Sequence, residues 1–525
     1  MHPALKALSR AALLCCAVAT STLAWPAQPA RAASLTAVLE AEAVVFDPHF
    51  TTAYVSRTFG YAVYDTLFAM DSKGEIKPQM VQEWTVSDDR LTWTFTLREG
   101  LAWHDGAPVT AADSVASIRR WAPRSTLGRR LMASVNTMEA IDARRFRIVL
   151  KEPSGLVLDA LGRPNSPVPF ILPERLAQTP GDQRIAEVIG SGPFVFRQDQ
   201  YRPGDRIVLD RNPNYRPRAE PADFLAGGKV PHLDQVIFRT VPDGATATSA
   251  LQSGEIDFLQ YVPFDLLPLL ERNRQVTVQG FEGMHSFQGY IRLNHAAKPF
   301  DDPEIRRVLW RLVDQTTVLT ALGLPERHMR PGCRSFFMCD TPYETTAGGE
   351  ISANPSIEAA REALKKTRYA GEPIVILQAT DIDAPRVSSE VFADLLRRAG
   401  FTVDLQATDW GTVLARRARK EGWHAFGVHA SGFDLSSPLT HFYIANNCND
   451  YAGWHCDARL DPLLDAFARA EGMEERRRIA AEISKVAFEI TPALMWGQLA
   501  QPAAYRANLR GVIPSSIPVF WNAQK

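Results

Sequence analysis

In the first half of the chain, apolar and polar residues alternate in short runs. Leu91-Thr92-Trp93-Thr94-Phe95-Thr96-Leu97 puts a large apolar side chain at every second position, the period of a strand with one buried face. Val149, Phe194 and Val208 mark further short β-like runs, separated by turns such as Gly192-Pro193 and Pro203-Gly204. The second half changes period. Asp302-Pro303 can cap and open a helix, and Ile305, Val308, Leu309 and Leu312 then share one face. From Pro373 onward strands and helices alternate. Ile374 to Leu377 reads as a strand; Val387, Val391, Leu395 and Ala399 mark a helix ended by Gly400; Phe401, Val403 and Leu405 alternate as a strand. A helix over Val413–Arg419 and a strand over Ala425–Val428 complete a β-α-β-α-β run, which predicts parallel strands and right-handed crossovers. Ile479, Ile483, Val486 and Ile490 outline a further amphipathic helix. The fold class is α/β.

In open α/β sheets, ligands bind beyond the carboxyl ends of the strands. The segments leaving these three strands carry Asp381, Asp409-Trp410 and Phe433-Asp434. Two readings stand side by side. Three acids and two aromatics converge on a cleft, or the aspartates cap the following helices and Trp410 and Phe433 belong to the core.

At 525 residues the chain exceeds the size at which one core stops growing, so more than one lobe is expected. A net charge of -1 argues against a nucleic-acid partner, which demands a basic face. Residues 1–32 have the form of a secretory signal: Lys6 and Arg10, an uncharged stretch from Ala11 to Ala24, and Ala30-Arg31-Ala32 as the cleavage site near Ala32. The stretch is short for a membrane span, which needs about 20 residues. Leu14, bulky where a lipid-attachment signal carries a small residue, speaks against acylation of Cys15 or Cys16. The longest later apolar run, Ile490 to Tyr505, is broken by Pro492 and Pro502, so the mature chain is read as exported and not membrane-spanning. Beyond residue 32 the cysteines form two close pairs, Cys333 with Cys339 and Cys448 with Cys456. An oxidising compartment favours disulfides. Zinc is the competing reading, with His441 and His455 near the second pair, but the spacings do not fit a metal knuckle.

Catalytic signatures are missing: no G-x-S-x-G elbow, H-E-x-x-H helix or G-x-G-x-x-G turn occurs. Gly227-Gly228-Lys229 lacks the spacing of a phosphate loop. Carboxylates are plentiful, but sequence does not pair them in space. No enzyme is proposed and no cofactor is expected.

A series of ordered motifs resembles the extracellular solute-binding proteins of ABC importers, in the dipeptide/oligopeptide/nickel-binding family (family 5), closest to the dipeptide-binding branch. Asp47-Pro48-His49 matches the family's "LDPH", and Tyr64-Asp65-Thr66-Leu67 its "YEGL". Gln82-Glu83-Trp84-Thr85-Val86-Ser87-Asp88-Asp89 resembles "A-x-x-W-x-x-S-x-D", with glutamine for the alanine. Leu97-Arg98-Glu99-Gly100, Trp103-His104-Asp105-Gly106 and Val109-Thr110-Ala111-Ala112-Asp113 follow in register. So do Gly190-Ser191-Gly192-Pro193-Phe194, Arg211-Asn212-Pro213-Asn214-Tyr215, Leu251-Gln252-Ser253-Gly254-Glu255-Ile256-Asp257 and Pro299-Phe300-Asp301-Asp302.

The resemblance implies a two-lobed periplasmic-binding-protein fold (type II, with an extra β-rich subdomain in the first lobe) and a hinge of two crossing strands. Lobe one would comprise residues 33–279 and 500–525, and lobe two residues 280–499. Peptide binders of the family hold the ligand's ammonium with an aspartate four residues before a proline, as Asp434 precedes Pro438. Trp410 matches the family's tryptophan after the preceding strand, and Phe433 would line side-chain space with it. Tyr451-Ala452-Gly453-Trp454-His455-Cys456 resembles a loop closed by a disulfide in the dipeptide branch, which implies the Cys448–Cys456 pair and adds Trp454 to the site. Where dipeptide binders can present an arginine to the ligand's carboxylate, this chain has Thr380 and Asp381, and Arg386 is the nearest basic residue. The implied protein is a periplasmic monomer that closes on a short peptide or peptide-like solute and delivers it to an inner-membrane ABC permease. A chelated metal, an opine or a sugar derivative is the alternative ligand, and a secreted hydrolase the alternative class.

Overall fold

The computed structural model describes residues 33–446, 448, 452–470 and 472–525. The signal segment, residues 1–32, lies outside the described residues, as does Tyr451 of the loop motif. Residues 33–525 form one compact unit built around two large mixed sheets.

The first sheet has seven strands, in the order Phe194–Phe196, Arg206–Arg211, Gln235–Arg239, Ser34–Val38, Phe258–Leu259, Ala503–Arg506 and Val276–Gln279. The second has six: Met329–Arg330, Ala493–Leu499, Phe287–Leu293, Ala425–Ser431, Ile374–Ala379 and Val403–Thr408. The chain passes from the first sheet to the second between Gln279 and Phe287 and returns between Leu499 and Ala503. A four-stranded antiparallel sheet, Val81–Val86, Thr92–Leu97, Arg145–Leu150 and Val135–Ala140, branches from the first half. In its strand Thr92–Leu97, Trp93, Phe95 and Leu97 are buried and the threonines between them are half-buried, as the alternation predicts. Helix Ala111–Trp121 packs on this sheet and begins with a reciprocal cap in which Thr110 and Asp113 each bind the other's backbone amide.

The β-α-β-α-β run takes the predicted form. Ile374–Ala379 pairs in parallel with Val403–Thr408 on one side and Ala425–Ser431 on the other. Helix Asp383–Ala399 begins a turn before Val387, and Gly400 (φ 103°) ends it in the left-handed region, where glycine carries no Cβ penalty. Two antiparallel strands, Phe287–Leu293 and Ala493–Leu499, escaped the pattern because they are buried along their whole length. A strand covered on both faces reads as an unbroken apolar run. The run Ile490 to Tyr505 resolves into two strands in different sheets, parted near Pro502. Among the described residues no helix is long and apolar enough to cross a membrane.

Both cysteine pairs are disulfides, Cys333–Cys339 and Cys448–Cys456. The histidines of the zinc reading are engaged elsewhere. His441 Nε2 lies 2.8 Å from the Phe336 carbonyl, and His455 Nδ1 lies 3.3 Å from the Arg292 guanidinium.

Candidate functional site

Strand Ala425–Ser431 runs on into the short helix Gly432–Leu435. Gly432 permits the turn, because a Cβ there would lie 2.6 Å from the Met284 carbonyl oxygen in the segment joining the two sheets. Its amide donates to the Ser286 carbonyl at 2.9 Å. This contact fixes where Phe433 and Asp434 point.

Phe433 turns into the core. It is 1% exposed, stacks on Phe224 with ring centres 5.3 Å apart, and meets His285 edge-on at 4.8 Å. Asp434 turns toward the first-sheet side of the molecule, where the Tyr54 hydroxyl donates to one carboxylate oxygen at 2.7 Å and the Asn165 amide to the other at 3.0 Å. The Asn165 amide also donates to the Phe433 carbonyl at 2.8 Å, and the Ser431 amide donates to the Tyr54 hydroxyl at 3.0 Å. Arg57 lies 4.4 Å over the Tyr54 ring and donates to the Pro164 carbonyl at 3.0 Å.

Asp434 forms part of the wall of a cavity of about 370 Å³, together with Tyr54, Arg124, Arg129 and Asn165. The carboxyl is 4% exposed, and burial raises its pKa against the opposing charge of Arg57 and the hydrogen bonds of Tyr54 and Asn165. Burial also raises the pKa of Glu40, which accepts a hydrogen bond from Tyr261 at 2.9 Å and feels the charge of Arg57. A second chamber of about 350 Å³ shares Thr126 and Arg129 with the first. Two arginines on its wall are paired across the cleft: Arg130 with Asp465 at 2.7 Å and Asp461 at 3.3 Å, and Arg469 with Glu152 at 3.3 Å.

The other residues singled out from sequence lie elsewhere. Trp410 opens helix Trp410–Arg417, half-buried, with its ring 6.4 Å from that of Phe426. Its amide donates to Asp381 at 2.8 Å, while Asp409 caps the helix through the Thr412 amide at 2.9 Å. The capping reading therefore holds for Asp409, and of these three acids only Asp434 is among the described residues lining the chambers. Arg386, on helix Asp383–Ala399, pairs with Asp383 at 2.9 Å and Glu390 at 3.7 Å. Trp454 packs 5.9 Å from Trp423. Neither Trp410, Arg386 nor Trp454 is among the described residues lining the two chambers. Sequence reading missed Tyr54, Arg124, Arg129 and Asn165. Tyr54 and Asn165 lie 380 and 269 positions from Asp434, and no local motif marks them.

The family model for bacterial extracellular solute-binding proteins, family 5, matches residues 75–453. A probable peptide ABC transporter periplasmic-binding protein, y4tO of Sinorhizobium fredii, is 39% identical over 510 residues, which cover 95% of each chain. The periplasmic binding protein DppA of Helicobacter pylori, solved with the peptide STSA, matches with a TM-score of 0.79 at 19% identity, over 94% of this chain and 98% of that one. The protein AgaA of A. tumefaciens, solved with agropinic acid, matches with a TM-score of 0.77 at 22% identity, over 94% and 98% of the two chains. These structures share the two-lobed periplasmic-binding-protein fold. The chain belongs to family 5 of the bacterial extracellular solute-binding proteins.

Proposed function

We propose that this protein captures short peptides or peptide-like solutes in the periplasm and hands them, as a monomer, to an ABC permease in the inner membrane. Residues 33–279 with 500–525 would form one lobe and residues 280–499 the other. The connections 280–286 and 500–502 would flex as the lobes close, with the solute selecting the closed form by its higher affinity for it. Binding, without chemical turnover, is the role. The relative named as a peptide-transporter binding protein, matched over nearly the whole chain, supports the ligand class.

One observation carries the reading: Asp434, a buried carboxylate, is the only acid among the described residues lining its cavity. A buried acid needs a partner, and a peptide's ammonium supplies the opposite charge. The nearby Arg57 does not fill that place alone, since it is shared between Asp434 and Glu40. Leaving one member of a buried pair unmatched costs about 3–5 kcal/mol, so Asp434→Ala is expected to weaken dipeptide binding by about a hundredfold or more. Isothermal titration calorimetry measures this directly, and an unchanged affinity would reject the assignment.

A further inference from the structure

We infer that the cavity bearing Asp434 selects net-anionic solutes: short peptides with one ammonium group and two carboxylates, whose acidic groups are held by Arg124 and Arg129. The inference rests on the peptide reading above and adds the charge class of the peptide.

Arg124 and Arg129 are the two cations among the described lining residues, facing one acid. Both are exposed and line this cavity. Arg129 donates to neutral oxygens, the Pro123 carbonyl at 3.2 Å and the Thr126 hydroxyl at 3.4 Å. Arg124 donates to the Phe50 carbonyl at 3.0 Å and lies 5.7 Å over the Phe50 ring. Neither has a carboxylate partner among the described residues. Arg130 and Arg469 in the adjoining chamber differ, each being paired with an acid. The contrast sorts the cleft's arginines into those spent on closing it and those left to a solute.

The charges give the class. With both carboxyls ionised, Asp434 and Glu40 stand against Arg57, Arg124 and Arg129, one positive charge in excess. A solute with one net negative charge balances the set, and electrostatic complementarity of this kind governs selectivity. At the ammonium end, the Asn165 carbonyl oxygen has no hydrogen-bond partner although the residue is only 9% exposed, so it offers a second acceptor beside Asp434. At the acidic end, guanidinium groups take carboxylates through paired N–H bonds. Ser125, Thr126 and Leu127, where helix Thr126–Ser134 begins, line the same wall and add the partial positive charge of a helix start.

Calorimetric titration of the purified protein with Ala-Ala, Ala-Glu and Ala-Lys, near neutral pH and at low salt, tests this. Ala-Glu should bind about tenfold or more tightly than Ala-Ala, and Ala-Lys more weakly than either. The double variant Arg124→Gln/Arg129→Gln should lose the preference for glutamate while keeping the native unfolding midpoint, because both side chains are exposed and have no acidic partner among the described residues. Equal affinities for the three peptides, or a preference that persists in the double variant, would overturn the inference. If no peptide of any charge binds, the peptide reading fails, and succinate and glutarate then decide the arginine site on its own. Dicarboxylate binding that is lost in the double variant upholds the site, and no dicarboxylate binding refutes it.

Discussion

Burial makes the Asp434 carboxyl harder to ionise than one facing water, and this outweighs the charge of Arg57 and the hydrogen bonds from Tyr54 and Asn165, so its pKa is raised. A solute ammonium pairs only with the ionised form. Under the proposed pairing, affinity for a neutral dipeptide should therefore be full above the raised value and fall as pH drops through it, by up to about tenfold for each further unit. Titrations stepped from neutral into the acidic range should show the decline in the native protein and lose it in Asp434→Asn. A flat profile in the native protein would dissociate this carboxyl from the ammonium. Asp434 was singled out in the sequence by its place after a strand and, through the family resemblance, by its spacing from Pro438. Its companions were not, because Tyr54 and Asn165 acquire their roles only when distant parts of the chain meet.

Among elements, the residues that carry the family likeness prove to be fasteners. Asp47, in the loop after the first strand, grips helix Ala111–Trp121 through two bonds from Arg120, at 2.9 and 2.7 Å, with both side chains no more than 2% exposed. Burial would raise the Asp47 pKa, but the hydrogen bonds from Arg120 and the Ile185 amide outweigh it and hold the value low. Stability from this pair is therefore present above the unfolded carboxylate pKa and is lost as pH falls through the lowered folded value. Arg120→Ala should destabilise the protein by about 3–5 kcal/mol in urea unfolding. A change within the scatter of surface substitutions would contradict the fastener role. Asp65 is held likewise by Lys229 at 2.8 Å and the Tyr215 hydroxyl at 2.9 Å. Gly190 presses so close to Val63 that a Cβ would lie 1.8 Å from its carbonyl oxygen. Such motifs are readable as short runs of residues that match the family in order, although the contacts they make reach across the chain. The doubly buried strands were not, for want of any alternation to read.

For the molecule as a whole, helix Thr126–Ser134 and helix Leu460–Arg469 face each other across the cleft, joined by Arg130 to Asp461 and Asp465. Arg469–Glu152 adds a second bridge nearby. The groups are partly exposed, so each pair contributes only about 0–1 kcal/mol and is weakened by salt. If these bridges bias the empty protein toward closure, Arg130→Ala should raise the radius of gyration of the ligand-free form in small-angle scattering, as should molar salt. The ligand-bound form should stay compact. An unchanged ligand-free radius under both conditions would remove the bridges from any account of closure.

The strand Ala503–Arg506 slots between Phe258–Leu259 and Val276–Gln279, and it is the only described strand that pairs with the latter. A chain emerging from its amino end thus leaves Val276–Gln279 with a bare row of amides and carbonyls while residues 280–502 are still being made. Such an edge is a template for sticking to neighbouring chains. Residues 503–506 act as a clasp fastened late, so crowding among newly made copies is most hazardous before that segment arrives, whatever the solute and whatever the cleft.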